Sequence, residues 1–130
     1  MAVDIEKERV LETFKSLIQI SLEGFKVLAL LNGGAAVAIL AYLGNSAARG
    51  QNRLPDMILP MICYVTGLFL CGLCFLGSYL TQLTLFNEAM DRKPVGHHKL
   101  WLSVTMFLCF LSLVAFASGS VIASFRFGDV

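Results

Sequence analysis

Three long apolar runs, separated by short polar connectors, dominate the pattern of the chain. They cover residues 24–44, 57–86 and 99–125. An α-helix needs about 20 residues to cross about 30 Å of hydrocarbon, so each run is long enough. Because backbone groups in lipid must hydrogen-bond within their own segment, each run predicts a membrane-spanning helix. We therefore predict an all-α membrane protein in which residues 1–130 form one domain, with 126–130 as a short tail.

The first 23 residues have a different, amphipathic pattern. Their apolar residues recur at intervals of three, four and seven, which is the period of one helix face, and charged residues occupy the rest. No proline or glycine interrupts this pattern before Gly24. We predict an amphipathic helix over 1–23 that lies on the membrane or bundles beneath the spans. Its apolar face comprises Val3, Val10, Leu11, Phe14, Leu17, Ile18, Leu22 and Phe25.

The distribution of Lys and Arg predicts the orientation. Short loops rich in these residues stay in the cytoplasm. The N-terminal region and the second connector together hold Lys7, Arg9, Lys15, Lys26, Arg92, Lys93 and Lys99. The other side holds only Arg49, Arg53 and Arg126. We therefore expect the N-terminus in the cytoplasm and the C-terminus outside.

Composition supports a membrane protein and gives no sign of catalysis. Hydrophobic residues make up 57% of the chain and charged residues 15%, against about 45–50% and about 25% in soluble domains. The net charge of +1 indicates no partner. Phosphate-binding loops, nucleophile elbows and metalloprotease motifs are absent from the sequence. We expect neither an enzyme nor a cofactor.

The cysteines are interpreted as packing residues. Cys63, Cys71, Cys74 and Cys109 all lie inside apolar runs, where free cysteine behaves as a small buried residue. Cys71 and Cys74 form a CxxC pair, but a redox pair belongs at a solvent-facing helix N-terminus. His97 and His98 lie too far along the chain to share a zinc ion with that pair. We expect no metal site.

One span carries a polar amide beside two glycines. Asn32, Gly33 and Gly34 are consecutive, and Gly34 is followed at one helical turn by Ala38. Small residues four apart let helices approach closely, and an amide in lipid needs a partner. Asn32 could meet its own copy around an oligomer axis, line a wet pathway, or cap or kink its own helix while Gly33 and Gly34 pack. The sequence thus predicts either a helix contact or a pore at these four residues.

The other two spans also carry faces of small residues. One comprises Cys63, Gly67, Cys71, Cys74, Ser78 and Thr81, and the other comprises Ser112, Ala115, Gly119 and Ala123. Such faces are close-packing surfaces. We expect helix packing at Gly67, Cys71, Cys74 and Gly119. Further small residues lie off these faces and favour a homo-oligomer, because three helices alone need less small surface: Gly72, Gly77, Ser118 and Ser120.

A basic cluster in the second connector suggests contact with an anion. It comprises Arg92, Lys93, His97, His98 and Lys99. It can serve as a topology signal that touches anionic membrane lipid. It can also bind a nucleotide, a short oligonucleotide or an acidic regulatory partner protein. The sequence leaves both interpretations open.

The whole layout, with residues 30–44 as its most distinctive segment, resembles that of small bacterial transmembrane effectors of anti-phage defence, of the Hailong type. In that group a charged amphipathic helix precedes a few spans, and the effector oligomerises and permeabilises the inner membrane. A partner enzyme that makes a nucleotide or short DNA ligand can control it. The resemblance implies ligand contacts at 92–99 and at Lys7, Arg9 and Lys15. The chain departs from it in having no separate cytosolic sensor domain.

These observations lead to one functional hypothesis and two alternatives. The hypothesis is an oligomeric pore or ion channel in the bacterial inner membrane that acts as a permeabilising effector. One alternative is a non-conducting membrane subunit that anchors or regulates a larger complex. The other is a holin-like lysis protein, whose common three-span arrangement has its N-terminus outside.

Overall fold

The computed structural model describes residues 2–50, 55–90 and 96–128, without the side chains of 2–4, 89 and 97, and is all-helical there. The helices are α1 (Ala2–Ala48), α2 (Ile58–Ala89) and α3 (His97–Gly128). The predicted all-α class is confirmed. Helix α3 continues through Arg126, which the sequence assigned to a tail.

Helix α1 unites the predicted amphipathic segment and the first span. It has 47 residues and no break at Gly24. At 1.5 Å per residue it is about 70 Å long, more than twice the thickness of a bilayer's hydrocarbon core. The amphipathic segment therefore continues the axis of the first span, and in an upright helix of this length it would extend beyond the hydrocarbon.

Local sequence explains where the helices end. Gly50 follows α1 with a φ of 70°, a backbone conformation that glycine adopts without strain. The carboxylate of Asp56 accepts a hydrogen bond of 3.1 Å from the backbone N–H of Ile58, at the start of α2. Pro60 lies in the first turn of α2, where its missing N–H is tolerated. Gly96, with a φ of 110°, precedes α3.

The three helices pack unequally. Helices α2 and α3 form an antiparallel hairpin with the most extensive contact, and α1 packs mainly against α2. Two small cores hold them together, one above and one below Asn32. One core comprises Phe25, Cys71 and Cys74. The other comprises Ile39, Met57, Tyr64 and Ala123.

The outer faces of the bundle are apolar. Leu30, Phe69 and Phe125 are 73%, 67% and 71% exposed, and many other large apolar side chains share this exposure. A monomeric soluble protein rarely exposes apolar patches of this extent. All three helices are long and apolar enough to cross a bilayer. The chain is therefore a multi-pass membrane protein whose outer faces suit lipid.

Candidate functional site

The polar amide in α1 lies at a junction of the three helices. Asn32 and Ser112 are both fully buried. The side-chain amide of Asn32 donates to the hydroxyl of Ser112 at 3.3 Å and to the carbonyl of Leu28 at 3.1 Å. The hydroxyl of Ser112 in turn donates to the carbonyl of Gly67 at 2.8 Å. One chain thus supplies hydrogen-bond acceptors for the side-chain NH₂ group of Asn32, which a polar group in lipid needs.

Glycine at position 67 makes room for this amide. A Cβ there would overlap Oδ1 of Asn32 and lie 2.6 Å from its Cγ. Oδ1 itself is buried without a hydrogen-bond partner in the described chain, and it faces the Cα of Gly67. A Cα–H···O contact is the weak interaction available to it. The junction therefore depends on Asn32, Gly67 and Ser112 together, and the three residues form what we call the Asn32 junction.

The remaining residues of the predicted α1 site divide between two surfaces. Gly33 is half-buried, and a Cβ there would be 3.9 Å from Leu68. Gly34 and Ala38 are exposed, and the space around Gly34 is open to 4 Å. Asn32 and Gly33 thus contribute to packing inside the chain, whereas Gly34 and Ala38 lie on the outer face of α1.

Small residues also allow close approach within the α2–α3 hairpin. A Cβ at Gly119 would be 2.9 Å from Cε1 of Tyr64 and 3.1 Å from Cβ of Cys63. A Cβ at Gly77 would overlap the hydroxyl of Thr105. Sequence reasoning had placed Gly77 off the packing faces. Its position three residues after Cys74, on nearly the same helix face, is the signal that could have identified it.

Ser120 is another residue that the chain uses internally. Its hydroxyl pairs with the phenol of Tyr64 at 3.1 Å. Of the four small residues that the sequence placed off the packing faces, Gly77 is buried and Ser120 partly buried, whereas Gly72 and Ser118 are exposed. Fewer small residues are therefore left for contacts between copies than the sequence suggested.

The cysteine thiols lie among backbone carbonyls and one another. Cys71 donates to the carbonyl of Phe25 at 3.3 Å, and Cys74 to that of Thr105 at 3.8 Å. The thiol of Cys109 donates to the sulfur of Cys74 at 3.2 Å. All are free thiols. Cys71 and Cys74 are buried and contribute to the core beside Phe25.

The predicted anion cluster is only partly described. Arg92 and Lys93 lie outside the described residues, and so does the side chain of His97. Lys99 is exposed on the first turn of α3. The ring of His98 is 2.7 Å from the carboxylate of Glu88. The described side chains of the cluster are those of His98 and Lys99, and Lys99 is the one that is exposed to solvent.

Glu88 connects the end of α2 to the start of α3. Its carboxylate accepts hydrogen bonds from the backbone N–H of Gly96 at 3.1 Å and of His98 at 2.9 Å, besides the contact with the His98 ring. This arrangement stabilises the orientation of the hairpin. Sequence reasoning treated Glu88 only as part of a polar helix end. The signal in the sequence was an acidic residue shortly before a connector that contains Gly96 and His98, since such an acid can accept hydrogen bonds from the N–H groups that follow the turn.

A crevice lies between α1 and the hairpin. It has a volume of about 890 Å³ and is partly open to the outside of the bundle. Phe25 of α1 and Phe75 of α2 lie at its wall with ring centroids 6.0 Å apart. Its lining is mostly apolar and comes from all three helices, over residues 14–31, 75–85 and 98–113.

Beyond this crevice, the amphipathic face of α1 is uncovered. Ile5, Val10 and Leu17 are 61%, 65% and 58% exposed. A shallow depression on the same stretch is formed by Lys7, Leu11 and their neighbours. Because α1 is longer than the hydrocarbon is thick, lipid tails would not cover all of this face of an upright helix.

Comparison with protein families, with curated proteins and with solved structures gives no match for this chain.

Proposed function

We propose that the protein is the subunit of a homo-oligomeric pore that permeabilises the bacterial inner membrane, with its N-terminus in the cytoplasm and its C-terminus outside. The proposal has two parts, the assembly of several copies and the conduction of ions through the assembly. Assembly is supported by surfaces that one chain leaves uncovered. Conduction is supported by the resemblance in layout to transmembrane effectors of anti-phage defence.

The observation that carries the proposal is the outer face of α1 in the membrane. Gly34 and Ala38 are exposed one helical turn apart, and among the described residues no atom outside the Gly34 neighbours and its own helix backbone lies within 4 Å of the position of a Gly34 Cβ. Two small residues at i and i+4 allow a second helix to approach closely, which is the usual basis of helix association in lipid. The proposed contact between copies therefore runs along Gly34 and Ala38, and the buried Asn32 takes no part in it.

The projecting part of α1 supplies a second region for assembly. Its apolar face includes Val10, Phe14 and Leu17, all exposed. In water, an apolar face of this kind is stable when it packs against other helices. In the proposed oligomer, the projecting helices of several copies form a bundle beneath the spans, on the cytoplasmic side, where a ligand could control the pore.

The proposed trigger is an anionic ligand on the cytoplasmic side, such as a nucleotide or a short oligonucleotide. The exposed ammonium group of Lys99 supports this part of the proposal. The ring of His98 is held by Glu88 at 2.7 Å, so it serves the hairpin first. An acidic regulatory protein is the other partner that a lysine at this position could bind.

A specific observation favours a second function, that of a non-conducting subunit in a larger complex. Asn32, the polar side chain that could best have lined a water pathway, is fully buried within its own chain. Such a subunit would use the face of Gly34 and Ala38 for a different membrane protein. A holin-like role requires the N-terminus outside, and a reporter fused to Met1 decides that orientation.

The number of subunits tests the proposed assembly. The purified chain is analysed by native mass spectrometry in mild detergent, together with Gly34→Leu and the control Gly72→Leu. Gly72 is exposed on α2, away from the proposed contact at Gly34 and Ala38 on α1, so leucine there leaves that contact unchanged. We expect one defined oligomer for the parent and the control, and monomers for Gly34→Leu. A parent chain that is monomeric would support the non-conducting subunit instead.

A further inference from the structure

Two thiols on facing helices of the hairpin are in contact. Cys74 of α2 is fully buried, and the thiol of Cys109 of α3 donates to its sulfur at 3.2 Å. The sulfur atoms of a disulfide are about 2.05 Å apart, so these two sulfurs would have to approach each other by a little over 1 Å. The hairpin therefore places two thiols from distant parts of the chain close to bonding distance.

The CxxC pair within α2 does not have this geometry. Cys71 and Cys74 are three positions apart in an uninterrupted helix, where the Cβ atoms of such neighbours are about 5–6 Å apart. A disulfide requires Cβ atoms about 3.5–4.5 Å apart. The thiol of Cys71 is hydrogen-bonded to α1 instead, through the carbonyl of Phe25 at 3.3 Å. The structure therefore pairs Cys74 with Cys109 and leaves Cys71 aside.

One thiol of this pair is accessible and the other is not. Cys109 is half-buried and lines the crevice between α1 and the hairpin, whereas Cys74 is fully buried and is not part of that lining. The crevice is partly open to the outside of the bundle, and its lining is mostly apolar. A small uncharged reagent that enters it thus meets the sulfur of Cys109 before that of Cys74.

From this arrangement we propose that Cys74 and Cys109 are an oxidisable thiol pair, which a small uncharged hydroperoxide converts into a disulfide between α2 and α3. The sulfur of Cys109 attacks the hydroperoxide, so that an S–O bond forms, the O–O bond breaks, and the thiol proton leaves with the alkoxide as an alcohol. The sulfenic acid at Cys109 then condenses with the thiol of Cys74, so that an S–S bond forms and water leaves. The two thiols together lose two electrons, and the hydroperoxide is reduced to the alcohol and water.

The contact between the sulfurs favours the second step. The condensation takes place within one chain, and well-placed groups in one molecule react as if at a very high local concentration. The fourth thiol, that of Cys63, forms no hydrogen bond with another thiol among the described residues. The resulting disulfide joins the two helices of the hairpin covalently, and it does not depend on the proposed pore.

Oxidation of the full chain in phospholipid vesicles tests the proposal. The protein is treated with cumene hydroperoxide, which is apolar, and is then unfolded in sodium dodecyl sulfate with N-ethylmaleimide, which alkylates every remaining thiol. Mass spectrometry of the intact chain counts the alkylated cysteines, and mass spectrometry of its peptides identifies the crosslinked pair. Cys109→Ser is treated in the same way, with Cys71→Ser as the matched control. Circular dichroism checks that each variant is helical before oxidation.

The identity of the crosslinked pair decides the outcome. We expect the parent chain to lose two of its four alkylatable thiols, through one crosslink between Cys74 and Cys109 within the same chain. Cys71→Ser should form the same crosslink, and Cys109→Ser should form none within the chain. A crosslink between Cys71 and Cys74, or one that joins two copies, would overturn the proposal. So would a parent chain that keeps all its thiols, or one in which Cys109 is oxidised to a sulfinic acid without a crosslink.

Discussion

Replacing Gly67 with alanine tests the Asn32 junction directly. The new Cβ would overlap Oδ1 of Asn32 and lie 2.6 Å from its Cγ. The amide cannot swing away without losing its hydrogen bonds to Ser112 and Leu28. Overpacking a closely packed contact costs about 1–3 kcal/mol, and losing an interhelical hydrogen bond in a membrane costs about 0.6 kcal/mol. We expect Gly67→Ala to lower the free energy of unfolding by about 2 kcal/mol, or about 30-fold in the equilibrium constant.

The control for this change is Gly72→Ala. Gly72 lies in the same helix and is exposed, and a Cβ there would have no atom of the described residues within 4 Å apart from its chain neighbours and its own helix backbone. Both substitutions gain the same intrinsic helix propensity, so the difference between them isolates the clash. Unfolding is measured by titration with sodium dodecyl sulfate in mixed micelles, followed by circular dichroism.

A double variant identifies the residue responsible. In Asn32→Ala/Gly67→Ala the amide is absent, so the added methyl group should cost little beyond Asn32→Ala alone. The reasoning is refuted if Gly67→Ala is as stable as Gly72→Ala. It is equally refuted if the full penalty of Gly67→Ala persists when Asn32 is already alanine.

Two further predictions concern side chains that connect helices. Ser112→Ala removes both the acceptor for Asn32 and the donor to the carbonyl of Gly67, and we expect the free energy of unfolding to fall by about 1–2 kcal/mol in the same titration. The control Ser118→Ala, at an exposed position, should change it little. Equal effects of the two changes would contradict the role of Ser112 in connecting the helices. Glu88→Gln weakens the charge-assisted bonds to the N–H groups of Gly96 and His98. Hydrogen exchange at those two amides should then become about tenfold faster. The control Glu23→Gln, at an exposed position, should leave both exchange rates unchanged. Unchanged rates in Glu88→Gln would show that the carboxylate does not hold the turn.

Hydrophobic periodicity was sufficient to predict the three helices. Each run exceeds the length needed to cross a bilayer, and lipid leaves few alternatives to a helix. The continuity of α1 was harder to predict. Gly24 lies where a surface helix could turn into a span, but a single glycine costs a helix only about 1 kcal/mol, and α1 continues through it.

The partner of Asn32 could not be predicted from the sequence. Spacing placed small residues on one face of each helix, but it did not say which faces meet. The structure brings Asn32 to Gly67 and Ser112, residues 35 and 80 positions away, and thereby gives its NH₂ group an acceptor within one chain. A copy of the same chain would have been an equally good partner on the sequence pattern alone.

The role of Glu88 was missed for a similar reason. Its hydrogen bonds depend on the turn that brings Gly96 and His98 back to the end of α2. Charge counting grouped His98 with the lysines and arginines of the connector. A histidine next to a carboxylate in space can differ in its role from a histidine next to lysine in sequence.

Membrane potential in bacteria tests the proposed pore most directly. The chain is expressed alone, and a potential-sensitive dye compares it with Gly34→Leu and with the control Gly72→Leu at matched amounts in the membrane. Once an anionic cytoplasmic ligand is supplied, we expect depolarisation with the parent chain and with Gly72→Leu, and a stable potential with Gly34→Leu under the same conditions. A parent chain that forms oligomers yet leaves the potential unchanged, with or without added cytoplasmic nucleotide ligands, would contradict a pore and establish the non-conducting subunit in its place.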